Sequence, residues 1–149
     1  MKYLQINGAT ISAVSLIIVI AFASTSIAGE MCDRAFHSVT ATFFGPTEYH
    51  RHGFNALHFA AEKGLHVALF WALGFSLSQI AADTRRRTAI ILSVAFIVAV
   101  SSEWLQTFFP RRDPTLRDVA IDFCGAVLGL VCTRFFKERS LKTEVLPPS

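Results

Sequence analysis

Charged residues are missing from four stretches of the chain, and these stretches predict its helices. Ile11 to Ala28 contains no charge at all. Leu65 to Ala82 carries only His66 as an ionisable group, and Thr88 to Leu105 is uncharged until Glu103. Val119 to Phe136 holds Asp122 in its first turn and Arg134 in its last. An apolar run of about 18 residues makes roughly 27 Å of helix, enough to cross the hydrocarbon core of a bilayer. The expected fold is all-α: an integral membrane four-helix bundle, with spans at 11–28, 65–82, 88–105 and 119–136. Residues 1–149 form one domain.

The first stretch has a second reading. Lys2, the apolar centre and the small residues Ser26, Ile27 and Ala28 also resemble a secretory signal with a cleavage site. Retention as a first helix is expected, and either outcome leaves Gly29 onward on the same side of the membrane.

The connections differ in character. Residues 29–64 form a long segment rich in aromatics (Phe36, Phe43, Phe44, Tyr49, Phe54 and Phe59), with a turn at Gly45 and Pro46. Aromatic side chains favour the head-group region, so this outer segment is expected to lie on the membrane. The two later connections are short, as between antiparallel neighbours. Lys and Arg beside the spans set the orientation. Termini facing the cytoplasm put Lys2, Arg85, Arg86, Arg87, Arg134, Lys137, Arg139 and Lys142 on that side, against Arg34, Arg51, Lys63, Arg111, Arg112 and Arg117 outside. Cytoplasmic termini are therefore expected, with the Arg85–Arg87 hairpin as the strongest retention signal.

Composition agrees: 52% of residues are hydrophobic and 17% charged, too few charges to cover a water-soluble surface. The net charge of +3 does not point to nucleic acid, because the basic residues sit beside the spans. Of three cysteines, Cys124 and Cys132 fall inside the fourth span as small apolar fillers, and Cys32 completes no disulfide framework. His37, His50, His52 and His58 lack the spacing of a metal site, so no metal and no cofactor is expected.

The remaining ionisable residues gather at one depth. Lys63 and His66 stand at the outer start of the second span, Glu103 and Gln106 at the outer end of the third. Arg112 lies in the turn between spans three and four, and Asp118 and Asp122 open span four. Lys63 and His66 are three apart, as are Glu103 and Gln106, while Asp118 and Asp122 are four apart, so each pair shares a helix face. Carboxylates inside a membrane are costly unless they pair or face a wet cavity. A shared pocket, with Lys63 and Arg112 neutralising Glu103, Asp118 and Asp122, meets that requirement. Gly125 and Gly129 suit close helix packing.

The ordered set Lys63-x-x-His66, Glu103-x-x-Gln106, Pro110, Arg112, Asp118, Gly125 and Gly129 resembles the VanZ-like family of bacterial membrane proteins, over roughly residues 60–132. Asp122 departs from the pattern, standing where that family usually has asparagine. The resemblance implies a multi-pass protein of the bacterial inner membrane and cell envelope. Its founding member is associated with resistance to the glycopeptide teicoplanin; the resemblance implies no particular reaction.

Each candidate has a structural reading beside the functional one. Glu103, Gln106, Arg112 and Asp118 serve either as a head-group site or as a clamp between helices. Thr115 and Asp118 read as a helix cap, with Asp118 near the positive end of the helix dipole. Lys63 can snorkel to the interface, and His66 can be a hydrogen-bonded packing residue. The expected function is an envelope accessory protein binding a lipid-linked or glycopeptide head group at the outer face. The alternatives are a membrane enzyme using acid–base chemistry on an envelope lipid, and a structural or partner-binding module. Membrane lipid is the expected partner in each case, and homo-oligomerisation is compatible with the sequence.

Overall fold

The computed structural model describes residues 8–44, 52–80, 85–109 and 114–145. Among these it has five helices: α1 (Gly8–Ala23), α2 (Ser26–Phe44), α3 (His52–Ile80), α4 (Arg85–Gln106) and α5 (Leu116–Val145). Pro110, Arg112 and the basic and acidic residues beside it, Arg111 and Asp113, lie outside the described residues. So do Lys2, Gly45, Pro46, Tyr49, His50 and Arg51.

The expected first span is interrupted. α1 stops at Ala23, and α2 leaves it at an angle of 80° after a two-residue break. The sequence Ser24-Thr25-Ser26 explains the break, because hydroxyl side chains offer the backbone partners other than the next helical turn. Ser24 Oγ donates to the Ile20 carbonyl at 2.9 Å. Thr25 Oγ1 donates to the Phe22 carbonyl and accepts the Ala28 amide, capping the start of α2. The long outer segment thus contains a helix of its own. Ile27, Met31, Ala35, Val39 and Phe43 form an exposed apolar stripe along it, and Glu30, Asp33 and Arg34 occupy another face.

Of the described helices, α4 and residues Leu116–Lys137 of α5 are each long and apolar enough to cross a membrane, and the bent α1–α2 pair passes that test jointly. α3, which contains the expected second span, is not among them. Polar residues lower its hydropathy, and several of them meet neighbouring helices. His66 and Ser76 are buried, Ser76 Oγ lies 3.1 Å from Ser12 Oγ of α1, and Ser78 Oγ donates to Thr133 Oγ1 of α5 at 2.6 Å. Phe70 and Leu73 are fully buried. A helix flanked by others can carry polar groups that its neighbours satisfy.

α3 packs most extensively on α5, then on α1. Their partners advance together, from Lys63–Asp118 and His66–Asp122 to Ser78–Thr133, so α3 and α5 run parallel with α4 returning between them. Close approach follows from missing side chains. A Cβ at Gly74 would collide with the Ala126 carbonyl, and one at Gly129 with the Trp71 carbonyl. At Gly125 it would stand 2.7 Å from the Val67 carbonyl oxygen. Gly125 and Gly129 of α5 and Gly74 of α3 are the points of closest approach in this contact. Around this core, Ile18, Phe22, Ile97, Trp104, Leu128 and Phe136 are exposed, as suits helices in contact with lipid.

Candidate functional site

The start of α5 organises the polar end of the bundle. Thr115 precedes the helix, and its Oγ1 accepts the Asp118 amide at 3.3 Å while donating to Asp118 Oδ2 at 2.9 Å. The expected cap is present, with one change. In a capping box the acidic residue would also accept the amide hydrogen of the capping residue. Here Glu103 Oε1, from the end of α4, accepts the Thr115 amide at 2.6 Å. Asp118 is thereby left to face α3, where the Lys63 ammonium stands 2.8 Å from its Oδ2. One turn deeper, His66 Nδ1 lies 3.5 Å from Asp122 Oδ2.

Lys63, His66, Glu103, Asp118 and Asp122 therefore converge, as their spacing predicts. Glu103 joins the others through the Thr115 amide at the start of α5. His66, Glu103, Gln106, Asp118 and Asp122 are all more than nine-tenths buried, and the Lys63 side chain is one-quarter exposed at the rim. Lys63 and Arg117 both lie over the Phe59 ring, at 5.7 and 6.0 Å from its centroid. Arg112, the second expected cation, lies outside the described residues.

Three oxygens in this cluster are buried without a hydrogen-bond partner: Glu103 Oε2, Asp118 Oδ1 and Asp122 Oδ2. An unmet buried acceptor is costly, and such an atom calls for a donor from water or a ligand. No group of three or more His, Cys, Asp or Glu among the described residues has the geometry of a metal site. Cys32, Cys124 and Cys132 are free thiols, and Cys124 is exposed on the outer surface of α5 instead of filling the interior.

Two features beside the cluster escaped the sequence reading. Ser24 Oγ, at the α1–α2 break, lies 2.8 Å from Ser102 Oγ, next to Glu103. An apolar groove of about 340 Å³ runs between α1 and α4, lined by Ile17, Ile20, Val98, Ser102, Trp104 and Leu105 among others. The serines at positions 24 and 102 would have stood out only as polar interruptions of apolar runs, which carry no information about a partner.

A helical fold with membrane-length helices and a buried ionisable cluster at one end defines a multi-pass membrane protein. The family model VanZ/LLP1 matches residues 9–137, and the chain belongs to that family. No curated protein and no solved structure matches the chain.

Proposed function

We propose that this protein binds the polar head group of an envelope lipid, or of a glycopeptide, at the outer face of the bacterial inner membrane. The observation that carries the reading is the set of three buried carboxylate oxygens that make no hydrogen bond. Buried ionisable groups inside a membrane are retained where they serve a ligand or a pathway. Lys63, His66, Glu103, Gln106, Asp118 and Asp122 form the site, and Arg112 is the further cation proposed for it from the sequence. The α1–α4 groove, which reaches Trp104 and Leu105 beside Glu103, is suited to an acyl chain. In this reading α1, α3, α4 and α5 all span the bilayer with both termini in the cytoplasm, α1 is retained, and α2 lies in the outer interface on its apolar stripe. A contribution to glycopeptide resistance would follow from occupying or shielding such a head group.

The reading is tested by mass spectrometry of lipid that co-purifies with the protein in mild detergent. Wild type is expected to retain a head-group class that Glu103→Gln and Asp118→Asn release. Equal lipid in all three proteins would overturn it.

A second reading is supported by one contact. His66 Nδ1 beside Asp122 Oδ2 is the arrangement of a base with an orienting carboxylate, which suits acid–base chemistry on a lipid. Turnover of labelled envelope lipid by wild type, lost in His66→Gln, would favour it over binding alone.

A further inference from the structure

We propose that the head group taken by this site is a primary ammonium, as on an ethanolamine lipid, and not a phosphate or carboxylate; this rests on the head-group reading above.

The unmet capacity of the site is acceptor capacity. Glu103 Oε2 and Asp118 Oδ1 are buried and unpartnered, and Asp122 Oδ2 makes no hydrogen bond, with only His66 Nδ1 near it at 3.5 Å; the three residues are 7%, 5% and 2% exposed. An ammonium offers three N–H donors and a positive charge, whereas a phosphate brings acceptors and a like charge. Arg117 lies over the Phe59 ring, and the Lys63 ammonium beside it is already engaged 2.8 Å from Asp118 Oδ2. That contact also displays the chemistry: the cluster already holds one primary ammonium supplied by its own chain. Asp122 strengthens the bias, since it adds a third buried carboxylate to the cluster. The α1–α4 groove, which ends at Ser102, Trp104 and Leu105, the sequence neighbours of Glu103, makes a lipid the natural carrier, its chain running along Ile17, Ile20 and Val98.

Trp104 lines that groove and serves as the reporter. The full chain carrying Trp71→Phe, which leaves an aromatic ring beside Phe75, is reconstituted in vesicles of chain-brominated phosphatidylcholine. Unbrominated competitors are then added: phosphatidylethanolamine, its mono- and dimethyl derivatives, phosphatidylcholine and phosphatidylglycerol. Relief of Trp104 quenching is expected to be strongest for phosphatidylethanolamine. The relative affinity should fall at each methylation, by about fivefold or more across the series, because each step removes a donor. Asp122→Asn and Glu103→Gln, each checked for helicity, are expected to flatten the series. Displacement by phosphatidylglycerol as effective as by phosphatidylethanolamine, or indifference to methylation, overturns the ammonium assignment and leaves a head-group site of other chemistry. Relief that ignores head group altogether overturns both this inference and the reading on which it rests.

Discussion

Glu103 Oε1, at the last turn of α4, accepts the backbone amide of Thr115 at 2.6 Å, completing from another helix the cap that opens α5. The bond fixes the angle between α4 and α5 and releases Asp118 to meet Lys63 of α3. A single side chain thus sets the geometry of the cluster with one oxygen and presents the other unpaired.

Glu103→Gln and Glu103→Ala should therefore behave differently. Glutamine keeps a carbonyl oxygen for the Thr115 amide, so thermal unfolding in detergent should stay close to wild type. Alanine removes the acceptor and with it the hydrogen bond at this part-buried cap, a loss of about 1 kcal/mol. Equal melting temperatures for the two variants would contradict the capping role.

Glycine substitutions separate packing from exposure. Gly74→Ala and Gly129→Ala each drive a methyl into a backbone carbonyl across the α3–α5 contact, and membrane abundance should fall sharply. Gly64→Ala meets nothing within 4 Å on the same helix as Gly74. It should be neutral or stabilise by up to about 1 kcal/mol, since alanine has the higher helix propensity. Immunoblots of washed membranes decide the matter.

The Lys63–Asp118 pair should show coupling in a double-mutant cycle. Lys63→Met and Asp118→Asn each remove one partner and leave the other in a low-dielectric setting. The double variant should recover about 1 kcal/mol or more relative to the sum of the singles. Additive effects on unfolding would mean that the ion pair does not hold α3 to α5.

Ser24 and Ser102 provide a test of whether α1 stays with the bundle. With Cys32, Cys124 and Cys132 changed to serine, Ser24→Cys and Ser102→Cys should oxidise to a disulfide, because the native hydroxyls are 2.8 Å apart. The cross-link would shift mobility on a non-reducing gel at the full chain mass. A mature protein shortened at its N-terminus, with no cross-link, would show that α1 is removed.

The polar cluster was legible in the sequence because its signal is local. Lys63 with His66, and Asp118 with Asp122, sit three and four residues apart, and such spacing fixes a shared face before any partner is known. Gly125 and Gly129 could be read in the same way. Gly74 could not, since a lone glycine in an apolar run does not reveal which backbone will approach it. The break at Ser24 and Thr25 was hidden by hydropathy, which averages hydroxyl residues into an apolar span. Capping chemistry at Thr25 was the available signal. The parallel pairing of α3 with α5, and the borrowing of the Thr115 amide by Glu103, depend on contacts between residues remote in sequence and leave no local pattern.

The central claim, that the cluster is a working site and more than a brace, is tested most directly by teicoplanin susceptibility at measured membrane abundance. The proteins are wild type, Glu103→Gln and Arg112→Ala in a susceptible bacterial host. Wild type is expected to protect, and both variants to reach wild-type levels in the membrane while protection is lost. Variants that disappear from the membrane, or full protection at matched abundance, would contradict it.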